Sequence, residues 1–448
     1  MSKVLKVTKG LDIKLKGEAE KVSKDVASEV YAVKPTDFHG IFPKLMHKEG
    51  AEVKAGTLIM YDKYNEHTKV ASPVSGEIIE VVRGAKRKLL EIKILADKEI
   101  KYEKHEPKAG NREEVIESLS TGGLWPCIIE RPFGTIANPE VTPKSIHISA
   151  FNSGPLEADV DYALHGRDKD FQRGVEVLAN LPSGKVHLHV HSQKNTSDLF
   201  KNITGVEKHT FSGPHPSGLP GTQINMTDPI NKGEHVWTVK ALHVAMIGKF
   251  FNEGIYDAGV VLAVAGSQIQ KPAYFKTTMG ASIKPLVEGN LNGNEDKTRF
   301  VSGNVLTGDR IEKSGFVGFY HDTVTAIPEG DEPQFLGWLA PNLDKFSLSR
   351  TFFSWAMPGK RYDLNTNKNG EERAFVVTGQ YEQVFPLDVM PQQLIKSMIV
   401  DDIEKMEQLG VYEVLPEDFS LCEYVCTSKQ PLQEIVRKSL DQAKQELG

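Results

Sequence analysis

Cysteine is nearly absent. Three residues, Cys127, Cys422 and Cys426, occur among 448, which excludes a disulfide framework and fits a reducing compartment. Cys422 and Cys426 stand in LCEYVC, a spacing reminiscent of iron–sulfur segments, yet a cubane cluster needs four thiolates. Cys127 is far away in sequence and cannot supply the missing two, so the shape of a cluster segment is expected without its centre. Long apolar runs are missing too. The longest lies in AGVVLAVAG (258–266), far too short to cross a bilayer. The first residues, MSKVLKVTKGLDIKLKG, alternate lysine with apolar side chains and hold no signal-peptide core. A cytosolic chain with no transmembrane segment of its own is expected. A formal net charge of −6 gives no case for nucleic acid. Residues 1–105 carry 21 Lys and Arg against 16 Asp and Glu, leaving −11 for the rest; we read this asymmetry as surface solubility.

What is present is a change of pattern along the chain. Residues 38–95 are short alternating strands between turns, with KEGAEVKAGT and ASPVSG as the clearest turn signals. This punctuation resembles the biotinyl/lipoyl-carrier sandwich. Lys63 follows Asp62 where a carrier presents its modified lysine, but YDKYNEHTKVASP makes a longer hairpin without the flanking Ala or Met. A carrier-shaped module with no prosthetic group is expected over 1–107. From 108 to 266, NREEVIESLS and FQRGVEVLANL read as helical, VWTVKALHVAMIGKFFNEG contains a helix that ends at Gly254, and SIHISAF, VHLHVH and GVVLAVAG read as strands. Alternating helices and strands predict a Rossmann-like, mainly parallel α/β domain. A β-rich segment at 267–330 suits a small β-grasp (SLBB-like) module, and 331–386 is an aromatic-rich irregular connector. Residues 387–448 are helical, and the last helix sets Leu432, Ile435, Val436, Leu440, Ala443 and Leu447 on one face. The expected fold class is therefore α/β multidomain.

Two constellations invite chemistry. In VHLHVH, strand geometry points His187, His189 and His191 to one side and Val186, Leu188 and Val190 to the other. Imidazoles at i and i+2 can grip Zn²⁺, but no nearby carboxylate or cysteine completes a set. No metal is expected, only a polar edge or interface of neutral histidines. The second is FSGPHPSGLPGT (211–222), where glycine permits close approach and proline freezes the rest. It has neither a Walker lysine nor GxGxxG spacing, and a rigid interdomain or intersubunit loop is expected.

Several strings together are specific. KGLDIKLKG, KEGAEVKAGTLIMYDK, GLWPCIIERPF, FSGPHPSGLPGT, GWLAPNLDKFS, YEQVFPLDVMP and LCEYVC resemble, nearly end to end, the NqrA family, the A subunits of the Na⁺-translocating NADH:quinone reductases. The family is in turn similar to the electron-input C subunits of Rnf complexes and the flavin-bearing subunit of respiratory complex I. In those relatives a GGAGFPT-like loop and an Ala-Glu-Cys-Glu-Pro-like strand end hold flavin. Here the corresponding places read IIERPFGT (128–135) and SAFNSGPLEAD (149–159). Arg131, Pro132 and Phe133 fill the loop where a flavin phosphate needs bare amides, and only Pro155 and Glu157 remain of the second motif. The resemblance implies a carrier-like β-sandwich, a Rossmann-like domain, a β-grasp module and a helical relic of a cluster domain. It implies a peripheral subunit on the cytoplasmic side of the bacterial inner membrane, partnered by the B to F subunits and associated with the quinone-reducing half of a translocase. No cofactor is then bound covalently; NADH, flavins and Fe–S clusters belong to other subunits, and ubiquinone or menaquinone is the expected ligand. No catalytic residue is assigned to this chain alone. A quinone needs a flat apolar slot and a donor to its carbonyl oxygens. The expected place is the Gly/Pro loop with His215, Gly218 and Gly221, ahead of the aromatic stretch with Phe346, Phe352, Phe353, Trp355 and Tyr362. The rival readings are a flavin- and cluster-bearing Rnf-type or complex I-like NADH dehydrogenase module, and a free-standing acyl or lipoyl carrier.

Overall fold

The computed structural model describes residues 4–332, Gly337 and 342–447. The turn-rich segment folds into two antiparallel sheets. One contains Val30–Val33, Leu89–Ala96, Gly76–Arg83 and Glu52–Val53, the other Pro43–Leu45, Leu58–Asp62 and Lys69–Ala71. Alternation sets the faces: Ile78, Ile92 and Ile94 are buried while Glu77 and Glu80 face water. The ASPVSG turn needs its glycine, because Gly76 has φ +151° and a Cβ there would run into the Leu95 carbonyl oxygen.

A seven-stranded sheet follows, in the spatial order Val4–Lys6, Glu207–Ser212, Val186–His191, Ser145–Ser149, Val236–Lys240, Ile128–Arg131, Thr135–Ile136. The first five strands run parallel, Ile128–Arg131 runs opposite, and Thr135–Ile136 is its hairpin partner. Successive parallel strands step one way from Ser145–Ser149, and Val236–Lys240 returns on its other side. The chain direction thus switches beside Ser145–Ser149, the place where open α/β sheets form ligand crevices. Helices Asp168–Leu178 and Ala241–Glu253 pack on each other. The latter ends at Gly254, which takes the left-handed conformation.

Gly259–Ala265, expected within the α/β domain, lies instead in a fourth, six-stranded sheet ordered Asp309–Ile311, Thr298–Ser302, Thr323–Pro328, Gly259–Ala265, Ala273–Thr278, Glu20–Asp25. Its apolar run says that both faces are buried but not in which sheet. The first 25 residues, expected with the carrier-like part, are likewise shared out: Val4–Lys6 edges the parallel sheet and Glu20–Asp25 edges the six-stranded one. One continuous apolar core, including Ile59, Ile92, Ile148, Leu188, Leu262 and Val324, runs through all these sheets.

The C-terminal helices Pro391–Ile399, Ile403–Gln408, Ser420–Val425 and Leu432–Leu447 enclose a separate core of Phe385, Leu394, Met406, Phe419 and Leu440. On the last helix Leu432, Val436, Leu440 and Ala443 are buried and Ile435 packs at their margin. The side chain of Leu447, and Trp338 to Pro341 of GWLAPNLDKFS, lie outside the described residues.

Candidate functional site

The carboxyl ends of the parallel strands converge on a cavity of about 560 Å³, within the size range of small-molecule sites. Phe151, Ser153, Pro155 and Glu157 line it from the loop after Ser145–Ser149, with Lys194, Asp12, Lys14 and Arg361 from other segments. The two motif remnants, Pro155 and Glu157, therefore sit at this cavity. Glu157 accepts from the Gly154 amide at 2.6 Å and from Asn304 Nδ2 at 2.7 Å. Burial, reinforced by Asp322, pushes its carboxyl above the ordinary range despite these donors.

Much of the switch-point crevice is closed by the six-stranded sheet. Asn152 Nδ2 donates to Asp322 (3.0 Å), the Ala158 amide to Thr323 Oγ1 (2.9 Å) and the Asp159 amide to Tyr274 Oη (2.8 Å). Lys240, at the end of the other switch-point strand, donates to the Tyr320 carbonyl at 2.6 Å. The position where open α/β sheets commonly seat a ligand is here a junction between two sheets.

The Gly/Pro loop lies next to the cavity rather than lining it. His215 is buried; its amide donates to Asp12 at 2.9 Å and its carbonyl accepts from Leu11 at 2.9 Å. Ser153 Oγ accepts from the Gly218 amide at 2.8 Å and stands 2.9 Å from His215 Nδ1. That hydroxyl can donate to Nδ1, the tautomer in which the ring proton stands on Nε2, or accept from it. Nε2 has no partner among the described residues. Burial, with Lys194 nearby, lowers His215 to about 3, so the ring is neutral. Gly218 packs on Ser153, and a Cβ on Gly221 would strike the Asp418 carboxylate. At these two positions protein atoms take the space that glycine leaves.

IIERPFGT holds the helical domain to the sheet. Arg131 is buried, with Nη1 3.0 Å from Asp418 and Nη2 2.9 Å from Glu417. Asp418 Oδ2 also accepts from the Leu415 amide at 2.8 Å. Burial raises the Asp418 carboxyl while Arg131 favours its charged form. Phe133 is buried in the helical core, and its carbonyl accepts from Arg437 at 2.6 Å. The Arg131 and Phe133 side chains thus clamp the helical domain to the sheet.

The thiols do not assemble. Cys127 lies in the sheet core, whereas Cys422 and Cys426 lie in the helical core, where Tyr381 Oη is 2.9 Å from Cys426 Sγ. Burial raises Cys127 and Cys422 above the ordinary thiol range. This donor set does not fit a cubane. Lys63 sits at the end of Leu58–Asp62, its ammonium 5.6 Å from the Phe42 ring centre and 5.0 Å from that of Tyr64. The aromatic stretch divides. Phe346 and Phe352 line a cavity of about 780 Å³ with Lys345, Tyr424 and Lys429. Phe353 and Trp355 are exposed, and Tyr362 is buried with backbone bonds to Lys14 and Lys16.

The histidine strand departs from its expected isolation. His187 and His189 do not pair with each other; each meets a histidine on a neighbouring strand. His147 Nδ1 is 2.9 Å from His189 Nε2, and His187 Nδ1 is 2.9 Å from His209 Nε2. Glu207 and Asp228 stand close by, so carboxylates absent from the local sequence are supplied by folding. His191 accepts from the Gln193 and Lys194 amides and tilts against Phe151 instead. The missed residues had one signal: SIHIS and EKHT each place a lone histidine at an alternating strand position.

Three family profiles match: the NqrA N-terminal barrel-sandwich hybrid domain over residues 5–97, the NqrA second alpha/beta domain over 110–256, and the NQRA C-terminal domain over 261–313. Curated relatives, each the A subunit of a Na(+)-translocating NADH-quinone reductase, match end to end. That of Neisseria meningitidis serogroup C is 34% identical over 99% of this chain and 100% of its own length. That of Hahella chejuensis is 35% identical with the same coverage, and that of Rhodopirellula baltica 34% identical over 98% and 97%. An NAD+-reducing [NiFe]-hydrogenase structure aligns over 76% of this chain and 67% of its own at 11% identity, with a TM-score of 0.41, too low to argue from. The chain belongs to the NqrA family, the A subunits of the Na(+)-translocating NADH-quinone reductases.

Proposed function

We propose that this chain is a peripheral subunit of a sodium-pumping NADH:quinone reductase, docked on the B to F subunits at the cytoplasmic side of the bacterial inner membrane and serving the quinone-reducing half. The carrying observation is the end-to-end match to curated NqrA relatives. In support, no helix among the described residues is long and apolar enough to cross a membrane. The Rnf-type alternative is disfavoured because Arg131 and Phe133 occupy the flavin-loop position and the cysteines are too few. NADH, flavin and cluster chemistry then belong to the partner subunits.

Within this reading, His215 supplies the donor to a quinone carbonyl. Its Nε2 is buried without a partner among the described residues, and with Ser153 donating to Nδ1 it carries the ring proton; Ser153 connects the ring to the 560 Å³ cavity. Gly218 and Gly221 hold the loop in place. The 780 Å³ cavity with Phe346 and Phe352 is the second candidate, favoured by its apolar rings and by Lys345, whose ammonium lies 5.4 Å from the Phe352 ring centre. The test uses membranes from a strain lacking this chain, complemented with tagged versions of it. Wild type should co-purify with the membrane subunits and restore Na⁺-dependent quinone reduction; failure to do either sinks the subunit reading. His215→Asn should still co-purify but bind short-chain quinone more weakly by about 1–2 kcal/mol. Unchanged affinity there, with loss in Phe352→Ala, moves the site to the second cavity.

A further inference from the structure

We propose that His187, His209 and Glu207 form a binding site for a divalent transition-metal ion, with Zn²⁺ as the best fit. In the parallel register His187 lies opposite Glu207, and His189 opposite His209. His187 Nδ1 and His209 Nε2 are 2.9 Å apart, and Glu207 Oε1 is 3.9 Å from His209 Nε2. One ligand atom from each residue lies within 4.8 Å of the others. Zinc–nitrogen bonds of about 2.0–2.1 Å at tetrahedral angles separate donor atoms by roughly 3.3 Å. The imidazoles, whose ring centres are 5.2 Å apart, need to part by a few tenths of an ångström and to turn so that their lone pairs converge on an ion that replaces the proton between them.

The surroundings favour this group. Behind His187, its second nitrogen Nε2 faces Asp228 Oδ2 at 4.0 Å. A carboxylate behind a metal-bound imidazole orients the ring and strengthens it as a ligand. The side chains of His187, His209 and Glu207 are 9%, 17% and 41% exposed. An ion can therefore enter from solvent and keep water in an open coordination position. Two imidazoles and one carboxylate suit zinc or copper rather than magnesium or calcium. His147, His187 and Asp228 make a rival group. There Lys144 holds Asp228 at 2.7 Å and Ser145 Oγ stands 3.1 Å from His147 Nε2. A dication would sit against that ammonium. Glu207 is also held by a lysine, but Lys185 is 72% exposed and free to swing away. A bound ion would tie Val186–His191 to Glu207–Ser212, the strand that leads into the Gly/Pro loop.

Titration of Zn²⁺ alone into the untagged full chain by calorimetry, with competition against a chromophoric chelator, tests the site. Wild type should bind one ion. His187→Ala and His209→Ala should each lower the affinity about 100-fold or more, and Asp228→Asn, behind the ligand, about 10-fold. His147→Gln should bind as wild type does. His209→Asn, shown by circular dichroism to be folded, should lose the ion as His209→Ala does. The Cu²⁺-loaded chain should show hyperfine splitting from two nitrogens in electron paramagnetic resonance. No stoichiometric binding to wild type, undiminished binding to folded His209→Asn, or loss confined to His147→Gln overturns the assignment.

Discussion

Arg131 is buried beside Asp418 and Glu417, and removing either end leaves the other charge without compensation. Arg131→Met should therefore cost about 3–5 kcal/mol, read as a lower midpoint in urea unfolding. The paired change Arg131→Met with Asp418→Leu should recover most of that, since a well-packed apolar pair replaces a buried ion pair with little loss. If the single variant unfolds as wild type does, the clamp is not structural. What could be read at 131 was the blockage: a large charged side chain where a phosphate loop needs bare amides. Its partner was not legible, because Asp418 lies 287 positions away and sequence patterns report local periodicity. The glycine at 221 failed in the same way. Its freedom was evident, but only the fold shows that Asp418 uses it.

On the scale of strands and loops, the prominent feature is buried neutral imidazole. Burial holds His147 and His189 on adjacent strands well below the ordinary histidine value, and it lowers His215, His243 and His321 to about 3. In the unfolded chain each ionises near 6.5. Below that pH the unfolded state binds protons that the folded state refuses. Stability should thus be complete above about pH 6.5 and fall as pH drops toward 3, at up to about 1.4 kcal/mol per pH unit for each such group. Chemical denaturation from pH 8 to pH 5 should show this decline, and His243→Gln should make it shallower. A flat profile would mean that the rings charge in the folded state. Element types were largely legible: Ser145–Ser149, Val186–His191, Ala241–Glu253 and the last helix follow their periodicities closely. Sheet membership was not, as Gly259–Ala265 shows.

Taken whole, the molecule is closed by its first 25 residues. Val4–Lys6 pairs with Glu207–Ser212, and Glu20–Asp25 with Ala273–Thr278, while between them Leu15 bridges to Tyr362 and Arg361 reaches Glu18 at 2.7 Å. Deleting residues 4–25 would bare two sheet edges and empty the places of Ile13 and Leu15 in the helical core. The shortened chain should melt at lower temperature and elute partly as aggregate in size-exclusion chromatography; a monodisperse, equally stable product would show the segment to be dispensable. The same arrangement sets the timing of biogenesis. The segment is made before its partners: its docking strands follow some 200 residues later and the helical platform under Ile13 and Leu15 later still. Throughout translation it waits as an unclasped belt, fastened only when everything it girdles has been made. A premature stop in the C-terminal helices would therefore leave this segment unfastened, a loose stretch on which degradation machinery can take hold.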